Sequence, residues 1–220
     1  MAFPNKFLKL TVEKKVRRLT LTGWLLVMFA CTALFLVWMV TIHSFLAVNK
    51  PFDTKLWVVE GYVPDFVLDS VADVWRTNPS LMIVCAGLPA EKSAFCTGYS
   101  TLADYNTAYL RAKGVDSLQA ISAPAQPADM ERTYTTALAA KEKLKALGYS
   151  SGKVNIVCLG THARRSLLTY RKAFQSEWKV GVVSYPNNEY PKQWWRTSEG
   201  VRAVVYEMIA YLYCFIFFHP

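Results

Sequence analysis

The chain has 220 residues, of which 53% are hydrophobic, and a formal charge of +9 from 25 lysines and arginines against 16 acids. That length fits one globular domain with an appendage. Six cations (Lys6, Lys9, Lys14, Lys15, Arg17, Arg18) less one acid (Glu13) give the N-terminal tail +5. The remaining 19 cations less 15 acids give +4, too weak a balance for the basic, aromatic-laced surface of a nucleic-acid-binding module.

Leu21 to Val40 contains no charged residue, and twenty apolar helical residues cross a bilayer core of roughly 30 Å. The basic tail precedes this run, and only Lys50 and Lys55 follow it closely. Lys/Arg bias therefore puts the N-terminus in the cytoplasm and the domain outside, with the lipid bilayer as partner through Leu21 to Val40. A cleaved signal peptide is the alternative. The run exceeds its usual core of about 7–15 residues, and Phe45 and Ala47 do not form its small-residue cleavage site. The expected organisation is a basic tail over 1–18, an anchor over 19–42, a linker over 43–54 and a domain over 55–220.

Within the domain, Lys55 to Glu60 is an apolar run closed by an acid and a glycine, and Pro64-Asp65 opens a helix to about Arg76. Leu81 to Ala86 is a second buried strand, stopped at Gly87. Ser100 or Thr101 caps a helix that Gly114 ends. Leu118 to Ser122 is a weaker strand, and Asp129 is the candidate cap of a long helix that ends near Gly148. Val154 to Leu159, Gly160-Thr161 and a helix presenting Ala163, Leu167, Tyr170 and Phe174 follow, with Thr161 as expected cap. Lys179 to Tyr185 is the fifth strand. Nearly all-apolar strands alternating with helices indicate an α/β fold, a three-layer α/β/α sandwich with a mainly parallel Rossmann-like sheet, preceded by one N-terminal transmembrane helix. After an aromatic turn, Val201 to Phe218 reads as a closing helix with Val204, Met208, Tyr211 and Phe215 packed on the sheet. A second crossing is the weaker reading, because Ala203 to Phe218, sixteen residues carrying Glu207, is short for one.

The five cysteines show no zinc-ligand spacing, so no metal site is expected. Cys85 and Cys158 read as small buried hydrophobes, with a Cys85–Cys96 disulfide the alternative in an oxidising compartment. No G-x-S-x-G elbow is present, and neither Glu60-Gly61-Tyr62 nor Gly87 begins a dinucleotide fingerprint.

Five pieces fall at the carboxyl ends of the strands: Glu60-Gly61, Gly87, Arg132-Thr133, Thr161-His162 and Arg164-Arg165. Each alone has a structural explanation: a turn, a cap or a solvated charge. Together, a carboxylate, an imidazole, hydroxyls and guanidinium groups at the ligand-binding edge of an open sheet make a phosphate or diphosphate site. His162 is then the general acid or base, and Glu60 orients it or activates water. Gly61, Gly87, Arg132, Thr133, Thr161, Arg164 and Arg165 are the ligand-binding candidates.

Ordered motifs resemble the YdcF/SanA/ElyC-like family over roughly Lys55 to the C-terminus: WVVEGY at 57–62, IVCAG at 83–87, AYLRAKGV at 108–115, ERTYTTAL at 131–138 and GTHARRSLL at 160–168. By this resemblance Thr133, His162 and Arg165 stand where that family has its threonine, histidine and arginine, and the ending WWRTSEGVRAVVYEMIAYLY is similar to that of its membrane-anchored branch. The chain departs from the pattern at Thr101-Leu102, where a Ser-Glu pair is common, and at Leu88, where a second glycine is; Glu60 and Asp104 are the candidate replacement acids. The resemblance implies an α/β domain anchored in the bacterial inner membrane and associated with envelope integrity and peptidoglycan-precursor or lipid-carrier metabolism. It names no reaction and no cofactor. Two functions are compatible with it: an enzyme or binding protein for a phosphorylated envelope ligand, lipid-linked or nucleotide-like, and a non-catalytic scaffold that binds membrane proteins through the tryptophan-rich 185–200 region.

Overall fold

The computed structural model describes residues 16–90, 98–190 and 192–220. The chain divides into two units, Met1–Met39 and Val40–Pro220. Helix α1 (Leu21–Leu46) provides most of the described part of the first, and its last turns belong to the second. Its side chains are mostly exposed as far as Val40. Among the described residues it is the one helix long and apolar enough to cross a membrane, a length and composition that a span and a signal sequence share.

The second unit is built on a five-stranded sheet: β1 (Leu56–Glu60), β2 (Met82–Gly87), β3 (Ala120–Pro124), β4 (Gly152–Leu159) and β5 (Trp178–Tyr185). The order is β3-β2-β1-β4-β5, and every pairing is parallel. The strands read as unbroken apolar runs because alternate side chains go to opposite covered faces. Val58, Val84 and Ile156 pack with residues of α4 (Arg132–Ala146) and α5 (Ala163–Phe174). Val59, Ile83, Cys85 and Val157 pack with residues of α2 (Asp65–Thr77) and α3 (Leu102–Ala112). The α5 face expected from periodicity is the buried one: Ala163, Leu167, Tyr170 and Phe174 are all core. A fully buried side chain of this size stabilises by about 1.5–3 kcal/mol, of which Tyr170 forfeits part, because its hydroxyl finds no hydrogen-bond partner among the described residues.

The anchor, the linker and β3 differ from expectation at their boundaries. The anchor helix continues to Leu46, and Leu46 and Val48 are buried in the domain. The stretch expected as a linker is fastened to the sheet: Lys50 exchanges two backbone hydrogen bonds with Val182 at the outer edge of β5. The Asn155 amide further accepts from the Phe52 N–H and donates to its carbonyl, both at 2.8 Å. Strand β3 begins two residues later than its apolar pattern indicates, because Leu118 is 78% exposed and forms part of a turn in which the Asp116 carboxylate accepts its N–H.

The closing helix, α6 (Ser198–Ile216), packs on α5 and on the short turns that precede α5 and α6 rather than across a sheet face. Its buried stripe is Gly200, Val204, Glu207 and Cys214, whereas Phe215 is 59% exposed. Of the predicted stripe Val204 is fully buried, Met208 and Tyr211 are half-buried, and Phe215 misses because the stripe followed apolar residues alone and passed over the inward-facing acid. Of the cysteines, Cys85 and Cys158 are buried free thiols pushed up by burial, and Cys96 lies outside the described residues.

Candidate functional site

Strand order decides where the crevice opens. From β1 the chain proceeds towards β2, and from β4 towards β5, on opposite sides. Pairing between β1 and β4 stops at Val59 and Val157, while β4 continues beside β5 to Leu159 and Tyr185. Above this switch point lies a cavity of about 650 Å³, at the position where open α/β sheets bind ligands.

Gly160 starts the turn above β4 with φ +50, and a Cβ there would stand 3.2 Å from that of Asn187, so glycine is suited to it on both counts. A 3-10 turn, Gly160–His162, leads directly into α5. The expected Thr161 cap is therefore not made. The residue at the cap position is His162, with helical backbone angles and no capping hydrogen bond from its side chain, and the Thr161 hydroxyl pairs instead with the Tyr190 hydroxyl at 3.1 Å.

This entry geometry sends the His162 ring into the cavity between two carboxylates. Its Nδ1 is 3.0 Å from Glu207 Oε1, and its Nε2 is 3.5 Å from Glu60 Oε2. Arg165, one turn further along α5, grips Glu207 with two bonds: Nε donates to Oε2 at 2.8 Å and Nη2 to Oε1 at 3.0 Å. Nδ1 lies between two partners of opposite character, Glu207 Oε1 at 3.0 Å, which accepts, and Arg165 Nη2 at 2.9 Å, which donates, so its contacts hold the ring in place without selecting a tautomer, and Nε2 is on the Glu60 side.

The two carboxyls are pushed apart. Burial raises Glu60 above its ordinary range, against the opposing pull of His162, the Ser166 hydroxyl and Arg165. Burial would also raise Glu207, but the hydrogen bonds and charges of His162 and Arg165 overcome it and bring Glu207 down to about 2. One carboxylate holds and orients the imidazole while the other resists ionisation, the separation that acid–base sites use. Glu207 was not among the sequence candidates. The signal was present, since an acid inside an otherwise apolar stretch has to be paired once buried, but its partners lie 42 and 45 residues away.

The other candidates divide. Thr133 lines the cavity and accepts from Arg165 Nη1 at 3.4 Å. Arg132 opens α4 and lines the cavity wall; its Nη2 donates to the Tyr62 hydroxyl at 2.5 Å and its guanidinium lies over the Tyr62 ring. The residue before it, Glu131, occupies the cap position in a left-handed conformation without a capping hydrogen bond, so Asp129 is not the cap. Arg164 is not among the cavity residues: it bonds the Phe45 carbonyl and stacks on the Phe45 ring at 3.7 Å. Gly61 and Gly87 border the cavity but are also required by packing. A Cβ at Gly87 would come within 2.7 Å of the Ala103 backbone nitrogen, and one at Gly61 within 3.0 Å of Leu102 Cβ. Asp104, considered as a replacement acid, does not line the cavity and is bonded to the Thr101 and Ser122 hydroxyls. In the tryptophan-rich segment Trp194 is buried, and only Trp195 has substantial exposure.

The lining therefore contains four carboxylates (Glu60, Asp129, Glu131, Glu207) against Arg132, Arg165 and His162. Arg165 is committed to Glu207, and Arg132, Thr133, Thr161 and His162 line the same cavity among these acids. Among the described residues no group of three or more His, Cys, Asp or Glu side chains is arranged to hold a metal ion.

Comparison of the chain with family models, curated proteins and solved structures finds no match.

Proposed function

We propose that this chain is a membrane-anchored protein of the bacterial envelope that binds a phosphorylated envelope ligand, lipid-linked or nucleotide-like, in the cavity above β1 and β4 and moves a proton on it through His162. The observation that carries the reading is the Glu207–His162–Glu60 alignment, with the imidazole held at Nδ1 and its Nε2 facing a carboxyl raised by burial. An imidazole held in place beside a carboxyl of different acidity is equipped to take a proton from water or a hydroxyl and return it to a leaving oxygen. Arg132 and Thr133, both on the cavity wall, supply donors for the phosphate oxygens. The acid-rich remainder of the wall favours a ligand that also brings hydroxyl or amino donors, as sugars and nucleosides do. The ordered motif resemblance and the basic tail ahead of α1 support the anchored envelope setting.

The test is thermal unfolding of the full-length protein in mild detergent with sugar phosphates, nucleotides and a polyprenyl phosphate, beside His162→Ala and Arg132→Ala. A ligand at a hundred times its dissociation constant adds about 2.7 kcal/mol. The expected result is a shift in the wild type that both variants reduce, with turnover of the same compound lost in His162→Ala. Equal shifts in all three proteins would place binding elsewhere and end this reading.

A further inference from the structure

Helix α6 turns its chemistry inward and its grease outward. From Ala203 to Phe218 its one charged residue is Glu207, which is buried against His162 and Arg165. Ile209, Leu212, Tyr213, Phe215, Ile216 and Phe217 are between 44% and 71% exposed. A helix packed on a water-facing domain carries charged residues on its outer face; a continuous apolar and aromatic face marks a surface that something else covers.

We propose that α6 lies in the interfacial layer of the same membrane that α1 enters, with its outer face in contact with lipid. This rests on the anchored reading above. Two observations select lipid as the occupant. The last turn of α1 belongs to the domain and touches α6, with the Phe45 and Tyr211 rings at 5.6 Å, so α6 sits where the chain leaves the anchor. The flanks carry cations suited to anionic headgroups: Arg164 over Phe45 on one side, and Lys172, bonded to the Cys214 and Phe218 carbonyls, at the helix end. An amphipathic helix with apolar bulk outward, tyrosines among it and cations at its border is the kind that settles at the headgroup boundary. Tyr206 and Tyr213 both line the cavity and are exposed, so the cavity mouth then opens at the headgroup layer.

Photo-crosslinking of the full chain in phosphatidylethanolamine–phosphatidylglycerol vesicles tests this, with p-benzoylphenylalanine replacing Ile209 or Ile216, Met28 in α1 as positive control and the exposed loop residue Leu118 as negative control. Lipid adducts at Ile209 and Ile216 should exceed those at Leu118 on the order of tenfold and approach those at Met28. Lipid adducts at Met28 without adducts at Ile209 and Ile216 overturn the inference and leave the anchor standing. Crosslinks from Ile209 or Ile216 to a second copy of the chain also overturn it and make the face a self-interface. Absence of lipid at Met28 overturns the anchored reading and the inference with it.

Discussion

At the corner between β2 and α3, Thr101 caps the helix by accepting the Asp104 N–H, its hydroxyl donates to the Asp104 carboxylate, and that carboxylate also accepts from Ser122. Leu102 packs over Gly61 and Gly87 and closes the space between. At the corner between β4 and α5 the same strand–turn–helix pattern has no side-chain cap, and two of its polar residues, His162 and Arg165, pair with Glu60 on β1 and Glu207 on α6. Both corners border one cavity. Among the described residues, Thr101, Asp104 and Ser122 at the first corner satisfy one another, whereas the second draws its partners from distant elements and holds the His162 ring in the cavity with Nε2 beside Glu60. A helix start becomes a candidate site when its local cap is missing and something remote holds it open.

Variants at the two corners separate these roles. Glu207→Ala has the largest expected effect: it strands Arg165, whose side chain is 17% exposed, and should destabilise by about 3–5 kcal/mol, as removal of one partner from a buried pair does. Chemical denaturation of the full-length protein in detergent measures this, and a loss below about 1 kcal/mol would show that solvent replaces Glu207 at little cost. Gly87→Ala tests the closed corner. With its Cβ 2.7 Å from the Ala103 nitrogen and 2.8 Å from Leu102 Cβ, it should lose about 1–3 kcal/mol through overpacking, and an unchanged melting temperature would mean that α3 moves aside freely. Thr101→Ala removes a true cap and should cost about 1 kcal/mol, read by the same melt, without altering ligand-induced shifts.

In pH dependence the two carboxyls on either side of His162 act in opposite directions. Glu207 is lowered from 4.5 to about 2, so between those values the unfolded chain binds more protons. The stability it contributes is complete above pH 4.5 and is lost as pH falls towards 2. Glu60 is raised from 4.5, so its contribution is complete below pH 4.5 and declines as pH rises through its elevated value. Glu207→Gln should flatten the acid arm of a stability profile, and Glu60→Gln the arm above pH 4.5. If either substitution alters both arms equally, the carboxyls titrate as one unit and the assignment of separate roles fails.

Periodicity and composition determined much by themselves. The strand runs, the buried α5 stripe, the Thr101 cap and the apolar α1 helix were legible because each depends on a handful of neighbouring residues and a fixed repeat of two or 3.6. The strand–helix alternation carried the α/β class and so located the crevice at the strand carboxyl ends. What stayed hidden was contact between distant segments. Arg164 and Arg165 are adjacent in sequence and equally plausible as ligands, but the turn of α5 sends one onto Phe45 and the other onto Glu207. Local pattern likewise chose Thr161 as a cap and Phe215 as core, and chain closure reversed both by placing Tyr190 beside Thr161 and an acid in the buried stripe of α6. Local repeats fix which elements form and which faces turn inward; the partners of a buried charge are set by which segments the strand order brings together, and only the tertiary structure decided that Glu207, rather than the arginine pair alone, would define the surroundings of His162.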